Sequence, residues 1–172
     1  NVKSRRGTRI AHIGIAVHAL DAILPFYRDV LGMPEVPLDD ADGAAIAGVA
    51  AGESLVELLA AKSDDSPIGK FVAKRGSGIH HVCFAVDDLE AVVTTRGPGL
   101  GPVTHGSRRR DDGELVEWWT AVPDEPLGPT VPFLIEHAYI GVEWGPEALA
   151  QRARFVHPIG ATVRLVSLDV ET

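Results

Sequence analysis

Two histidines and two glutamates recur at matched places along this chain, and together they have the makings of a metal centre. His12 sits near the start of IAHIGIAVHALDA (residues 10–22), and His81 holds the same place in IHHVCFAVDDLEA (residues 79–91). Val17 aligns with Val86, Leu20 with Leu89 and Asp21 with Glu90. Further along each copy a glutamate is embedded in an apolar run: Glu57 in Leu55-Val56-Glu57-Leu58, Glu136 in Leu134-Ile135-Glu136-His137. The spacings are similar, 45 residues from His12 to Glu57 and 55 from His81 to Glu136. An unpaired carboxylate in an apolar strand is costly, and a bound cation removes that cost. Two imidazoles and two carboxylates suit one divalent ion of the Co, Zn, Ni or Mn type, with positions left open for a small-molecule substrate. Such an ion is a Lewis acid, and Glu136 or Glu57 would double as the general base. A lone strand histidine is more often structural; the duplication is what raises these two above that reading.

The elements that must carry these residues follow from periodicity. Residues 9–17 alternate, with His12, Gly14 and Ala16 on one side and Ile13, Ile15 and Val17 on the other. The apolar row is expected to face a helix, leaving His12 on the face of small residues. That helix is predicted over 19–31, with Leu20, Ile23, Leu24, Tyr27 and Leu31 at helical spacing and Gly32 beyond its end. Strands follow to Ala60, and Ser66-Pro67 reads as an N-cap and first helical residue of a short helix. The second copy repeats strand and helix, then a hairpin turning at Asp112-Gly113. The predicted organisation is a first βαβββ module over 8–62, a linker helix within 63–78, a second module over 79–137, and a C-terminal extension over 138–172 with a helix and a strand. If the modules pack about a pseudo-twofold axis, His12 meets His81 and Glu57 meets Glu136.

Other chemistry-bearing residues read more plainly. Alternation sends His80 to the face opposite His81, in a supporting role. Cys83 shares the His81 face, where a small residue makes room. His105, His137 and His157 lack matched partners and read as surface or loop histidines. Arg108, Arg109 and Arg110 could grip a carboxylate or phosphate, but pairing with Asp111, Asp112 and Glu114 on a solvated hairpin is preferred. Trp118 and Trp119 should face opposite ways.

The bulk properties remove several classes. A net charge of −8 over 172 residues argues against nucleic-acid binding, which rests on basic surface. The single cysteine fits a reducing compartment. The stretch NVKSRRGTRI does not read as a secretory signal, and no apolar run is long enough to span a bilayer. A cytoplasmic protein without membrane contact is expected.

The strings HIGIAV, FYRDVLG, VELL, DSPIGKF and RGSGIHHVCFAVDDLE resemble the vicinal oxygen chelate superfamily of glyoxalases, bleomycin-resistance proteins and dioxygenases. Within it, residues 10–90 are most similar to the methylmalonyl-CoA epimerase family. The resemblance implies an α+β fold in which two paired βαβββ modules form a curved mixed sheet around a metal cavity; a homodimer is expected, with the modules paired within one chain or swapped across the dimer. It implies ligands at His12, Glu57, His81 and Glu136, and an isomerase acting on an acyl-CoA such as methylmalonyl-CoA. There the ion polarises the thioester carbonyl while a carboxylate removes the α-proton. Two departures stand out. Ile46 lies where that family carries a second catalytic glutamate, and residues 95–137 resemble instead a less characterised glyoxalase-like branch. The segment FVHPIGATVRLVSL at 155–168 echoes the epimerase's closing strand but puts Ser167 at the ligand position, so Glu136 is preferred. A glyoxalase-type lyase on a small carbonyl compound is the next reading. A ring-cleaving dioxygenase, which goes with two histidines and one carboxylate, ranks below it. A metal-free metabolite- or drug-binding module is the non-enzymatic alternative.

Overall fold

In a computed structural model, which describes residues 7–41, 43–96, 99–124 and 131–154, the chain folds around one eight-stranded mixed sheet. Chain order is β1 (Arg9–Val17), α1 (Leu20–Pro25), β2 (Glu35–Val36), β3 (Ala44–Ala51), β4 (Ser54–Ala61), α2 (Pro67–Arg75), β5 (Gly78–Ala85), α3 (Leu89–Arg96), β6 (Thr104–Arg109), β7 (Leu115–Ala121), β8 (Phe133–His137), α4 (Gly141–Trp144) and α5 (Pro146–Ala153). Spatial order is β2-β3-β4-β1-β5-β8-β7-β6. The sequence β2-β3-β4-β1 is thus mirrored by β6-β7-β8-β5 across the β1–β5 seam. The sheet curls into a half-barrel, as expected of paired βαβββ units.

The alternation in β1 does what the sequence predicts. Ile15 and Val17 pack with Leu58, Val49 and Met33 under Leu20, Leu24, Tyr27 and Leu31, on the outer, helix-covered face. In the second unit Val86, Leu89 and Ala121 pack with Val92, Val93, Trp119 and Leu134. Burial of these apolar side chains is the main term holding each helix to the sheet.

One helix departs from expectation. Pro25 closes α1 rather than opening it, and the chain widens into a π-helical turn over Phe26–Val30, with Leu31 N–H donating to the Phe26 carbonyl at 3.0 Å. Pro25 has no N–H to offer the Asp21 carbonyl four residues back, which interrupts the regular helical ladder at this turn. Gly32 follows with φ +66°, the left-handed turn that ends it.

On the inner face α2 covers one end, packing Ile68, Phe71 and Val72 against Ala16, Leu59 and Ile46. Ser66 caps it, accepting from Gly69 N–H at 3.0 Å. At the other end α4 brings Trp144 against Leu55 and Val36. The half-barrel's two edges are tied electrostatically: Arg108 on β6 meets Asp39, three residues past β2, at 2.6 Å. Arg108 and Arg110 also converge on the buried Glu143 of α4, Arg110 at 2.8 Å. Arg110 does pair with Asp112 and Glu114, but the buried partner of the arginine cluster lies in the extension, which hairpin reasoning does not reach. The strand expected in the C-terminal extension, with Ser167, and His157 ahead of it lie outside the described residues. Among the described residues no helix is long and apolar enough to cross a membrane.

Candidate metal centre

The two central strands run antiparallel, and their register explains why the histidines meet. His12 pairs with Cys83 and Gly14 with His81, so a twofold axis between the strands exchanges the two histidines. Each strand also carries a bulge one residue before its histidine. The register skips Ala11 between Ile10 and His12, and skips His80 between His81 and Ile79. A bulge breaks strict alternation. This is why His80 does not point away as alternation requires: its Nδ1 lies 2.9 Å from the Nδ1 of His81, and its ring stacks edge-on against Phe71 of α2. His80 therefore meets His81 at its Nδ1, while His81 Nε2 lies on the side of Glu57, an arrangement that would fix the ring and tautomer of a histidine ligand.

Glu57 reaches the same place from β4, opposite Gly14 on β1 and Gly48 on β3. Its Oε1 lies 3.5 Å from His12 Nδ1, and its Oε2 lies 4.0 Å from His81 Nε2. The His12 and His81 rings sit edge to face with centroids 5.2 Å apart. One donor atom from each of His12, Glu57 and His81 falls within 4.8 Å of the others. Gly14 makes this geometry possible, because a Cβ there would lie within 2.5 Å of His81 Nε2. Cys83, the twofold counterpart of Gly14, is fully buried and small enough to leave the His12 side clear; burial pushes its thiol pKa well up, so it is an inert packing group.

The cluster is electrostatically unsatisfied by protein alone. Burial pushes the Glu57 carboxyl up to about 7 and holds the His12 imidazole down at about 4. His12 is 8% exposed, and its Nε2 is enclosed without a hydrogen-bond partner. The neutral His12 imidazole, the His81 ring and a largely enclosed carboxylate form a donor set that fits a divalent cation.

Glu136 is not part of this set. It lies on the outer face of β8, where its Oε2 accepts the Leu89 N–H at 2.9 Å and caps the start of α3. The reason is register. β5 and β8 pair Cys83 with Phe133, as β1 and β4 pair Gly14 with Glu57. The counterpart of Glu57 is therefore Phe133, and Glu136 lies three residues further on, an odd number that places it on the opposite face. The local likeness of Leu-Val-Glu to Leu-Ile-Glu does not carry this information, because strand pairing sets the register.

Three further expectations resolve. Trp118 packs on the inner face with Cys83 and Ile135, while Trp119 packs outside with Leu134 and Ala121. His105 is an exposed residue paired with Glu117 at 3.0 Å. His137 is not a surface residue: it stacks on Trp144 with centroids 3.9 Å apart, its Nδ1 is enclosed, and burial takes its pKa down to about 3. The residues that sequence reasoning passed over are Gly14, Phe133 and the bulge at His80. Of these only Gly14, two residues beyond His12 on its face, left a readable signal.

The comparisons agree with this architecture. The mitochondrial methylmalonyl-CoA epimerase of Mus musculus is 40% identical over 89 residues, 49% of this chain and 49% of that protein. The chain thus spans about half the length of the curated epimerases it matches. An uncharacterised Bacillus subtilis protein, YqjC, is 30% identical over 125 residues, 63% of this chain and 89% of that protein. Among solved structures, a Streptomyces coelicolor methylmalonyl-CoA epimerase variant in complex with 2-nitronate-propionyl-CoA superposes with a TM-score of 0.54 at 30% identity, covering 77% of this chain and 96% of that one. The Mycobacterium tuberculosis methylmalonyl-CoA epimerase gives 0.55 at 27% identity, covering 80% and 90%. A family model described as the Glyoxalase/Bleomycin resistance protein/Dioxygenase superfamily matches residues 9–96, just over half of the chain, which belongs to that superfamily.

Proposed function

We propose that this chain is a metal-dependent epimerase of an acyl-CoA, with methylmalonyl-CoA as the first substrate to test. The observation that carries the reading is the convergence of the buried His12 with the partly buried Glu57 and His81, with the His12 Nε2 enclosed and unpartnered. Relatives named methylmalonyl-CoA epimerase, at 30–40% identity, support the substrate class. His12, Glu57 and His81 would hold a divalent ion of the Co, Zn, Ni or Mn type, which when bound supplies Lewis acidity toward a thioester carbonyl. The chain's own residues do the rest. His80 steadies His81 through its Nδ1. Glu57 is the carboxylate of the cluster and would take the α-proton through an oxygen that the ion does not hold, the role that Glu136 on the outer face does not fill. Inversion then takes a proton from solvent onto the opposite face of the planar enolate, and the proton held by Glu57 returns to water. The Phe133 ring, against both His12 and His81, keeps that side of the cluster apolar, which strengthens each polar interaction beside it. Assembly as a homodimer and a cytoplasmic location belong to the same proposal.

A second reading has its own support. Ile46 lies at the place of a second carboxylate and packs as an apolar residue beside α2. A reaction that moves a proton between adjacent carbons on one face needs a single base, so a glyoxalase-type lyase or isomerase on a small carbonyl compound follows if acyl-CoA fails.

The test is deuterium incorporation from D2O at the α-carbon of methylmalonyl-CoA by mass spectrometry, using protein reconstituted with Co(II) and assayed for metal content. About one ion per chain and exchange that disappears in His12→Ala and Glu57→Ala are expected. A bound ion without exchange rejects the epimerase and turns the assay to hemithioacetals; no ion under any loading leaves a binding module.

A further inference from the structure

The twofold relation between the modules gives a place for a fourth protein ligand, and this chain fills it with a phenyl ring. β4 pairs with β1 so that Glu57 lies opposite Gly14, two residues beyond His12. β8 pairs with β5 so that Phe133 lies opposite Cys83, two residues beyond His81. The Phe133 ring contacts both candidate ligands, with centroids 5.4 Å from His12 and 5.6 Å from His81. The next residue of β8 on that face is Ile135, buried with Cys83 and Ala85. Neither side chain donates to a metal.

We infer that, among the described residues, the centre holds its ion with three protein ligands, His12, Glu57 and His81, and that Phe133 stands in the fourth ligand's place. The inference rests on the metal reading above and deepens it. A two-histidine, one-carboxylate set grouped on one side leaves about three positions of a six-coordinate ion to solvent and substrate, where a symmetric four-ligand centre would leave about two. The ring makes the vacated side apolar, so a ligand entering there must bring its own oxygen to the ion against a wall that offers no hydrogen bond. The arrangement trades metal affinity for an extra open position, which makes Phe133 the residue that sets how many substrate oxygens can coordinate.

Two measurements test this, neither of them activity. Water-proton relaxation of the Mn(II)-loaded wild-type protein counts coordinated waters: about three are expected, and about two would overturn the inference. Competition titration with Co(II) then compares Phe133→Glu, Phe133→His and Phe133→Ala with the parent. At least a tenfold gain in affinity for the glutamate or histidine variant, with the alanine variant within about threefold of wild type, is the expected pattern. Glutamate and histidine variants that fold yet bind no more tightly than alanine would overturn it, and the relaxation count stands even if a variant fails to fold. Wild-type protein that binds no ion at all brings down the metal reading itself, an outcome distinct from an ion held by four protein groups.

Discussion

The two modules use the same backbone for opposite purposes at two positions three residues apart. In the first, β4 points a carboxylate, Glu57, into the cavity and buries a small residue, Ala60, against the outer core. In the second, β8 points Phe133 into the cavity and places its carboxylate, Glu136, on the outer face at the start of α3. The helices answer accordingly. The turn before α1 ends in Ala19, which offers no side-chain cap, whereas α3 receives both Glu136 at Leu89 N–H and Asp88 at Ala91 N–H. A carboxylate on a strand can serve a metal or a helix terminus, and the parity of its position decides which. The two modules thus share the histidine positions, the bulges and the register, while one carries its acid beside the histidines and the other carries its acid on the outer face at a helix start.

The sharpest way to break that comparison is at the twofold-related pair Gly14 and Cys83, which sit at matching positions beside different neighbours. Gly14→Ala puts a methyl into the space of the His81 ring. The imidazole must swing away, so metal affinity should fall about 10–100-fold, with an overpacking penalty of about 1–3 kcal/mol. Cys83→Ala removes only a buried thiol and should cost about 1 kcal/mol with metal affinity unchanged. Metal titration and urea melts on both variants decide the matter; equal metal affinities would mean that His81 does not lie over Gly14.

A second contrast is in protonation, since one module brings a buried acid to the cavity and the other brings none. Burial raises the Glu57 carboxyl from its ordinary 4.5 to about 7 in the metal-free protein. A raised pKa means that the folded state holds the proton more tightly than the unfolded one. The stability this contributes is fully present below pH 4.5 and is lost as pH climbs through 7. His12 and His137, held low by burial, act in the opposite direction, costing stability as pH drops below 6.5. Metal binding must strip the Glu57 proton, so apparent affinity should fall about tenfold per pH unit below 7, with about one proton released, and level off above it. Calorimetry in buffers of different ionisation enthalpy reads the proton count directly. A pH-independent affinity between 5 and 7 would remove Glu57 from the ligand set.

How much of this the residues themselves disclosed depends on whether the signal was periodic or relational. The β1 alternation, the capped α2 and the Asp112-Gly113 turn are local patterns, and each took its expected form. His12 and His81 were legible because an internal repeat marks matched positions, and Glu57 because it interrupts an apolar strand. Glu136 interrupts an apolar strand equally well, and its sequence neighbours resemble those of Glu57 more than Phe133's do. Nothing local distinguishes a carboxylate facing a cavity from one facing a helix N-terminus: that is set by the pairing of β5 with β8, a relation between segments some fifty residues apart. The same holds for Glu143, whose partners Arg108 and Arg110 come from a distant hairpin, and for His80, whose direction a bulge reversed.

The smallest effect concerns the outward acid. Glu136 supplies a charged acceptor to the first N–H of α3, where the helix dipole favours negative charge. Glu136→Ala should therefore cost about 1 kcal/mol of stability and leave the metal content of the protein unchanged. The converse substitution at the uncapped first helix, Ala19→Asp, should gain a few tenths of a kcal/mol up to about 1, because Ala19 already has the extended backbone of a capping residue, with φ −152° and ψ 135°. Denaturant melts of both variants, read beside their metal content, separate the two uses of a carboxylate. If Glu136→Ala instead empties the metal centre while the helix holds, then β8 pairs with β5 in a register shifted by an odd number of residues, and Glu136 rather than Phe133 is the counterpart of Glu57.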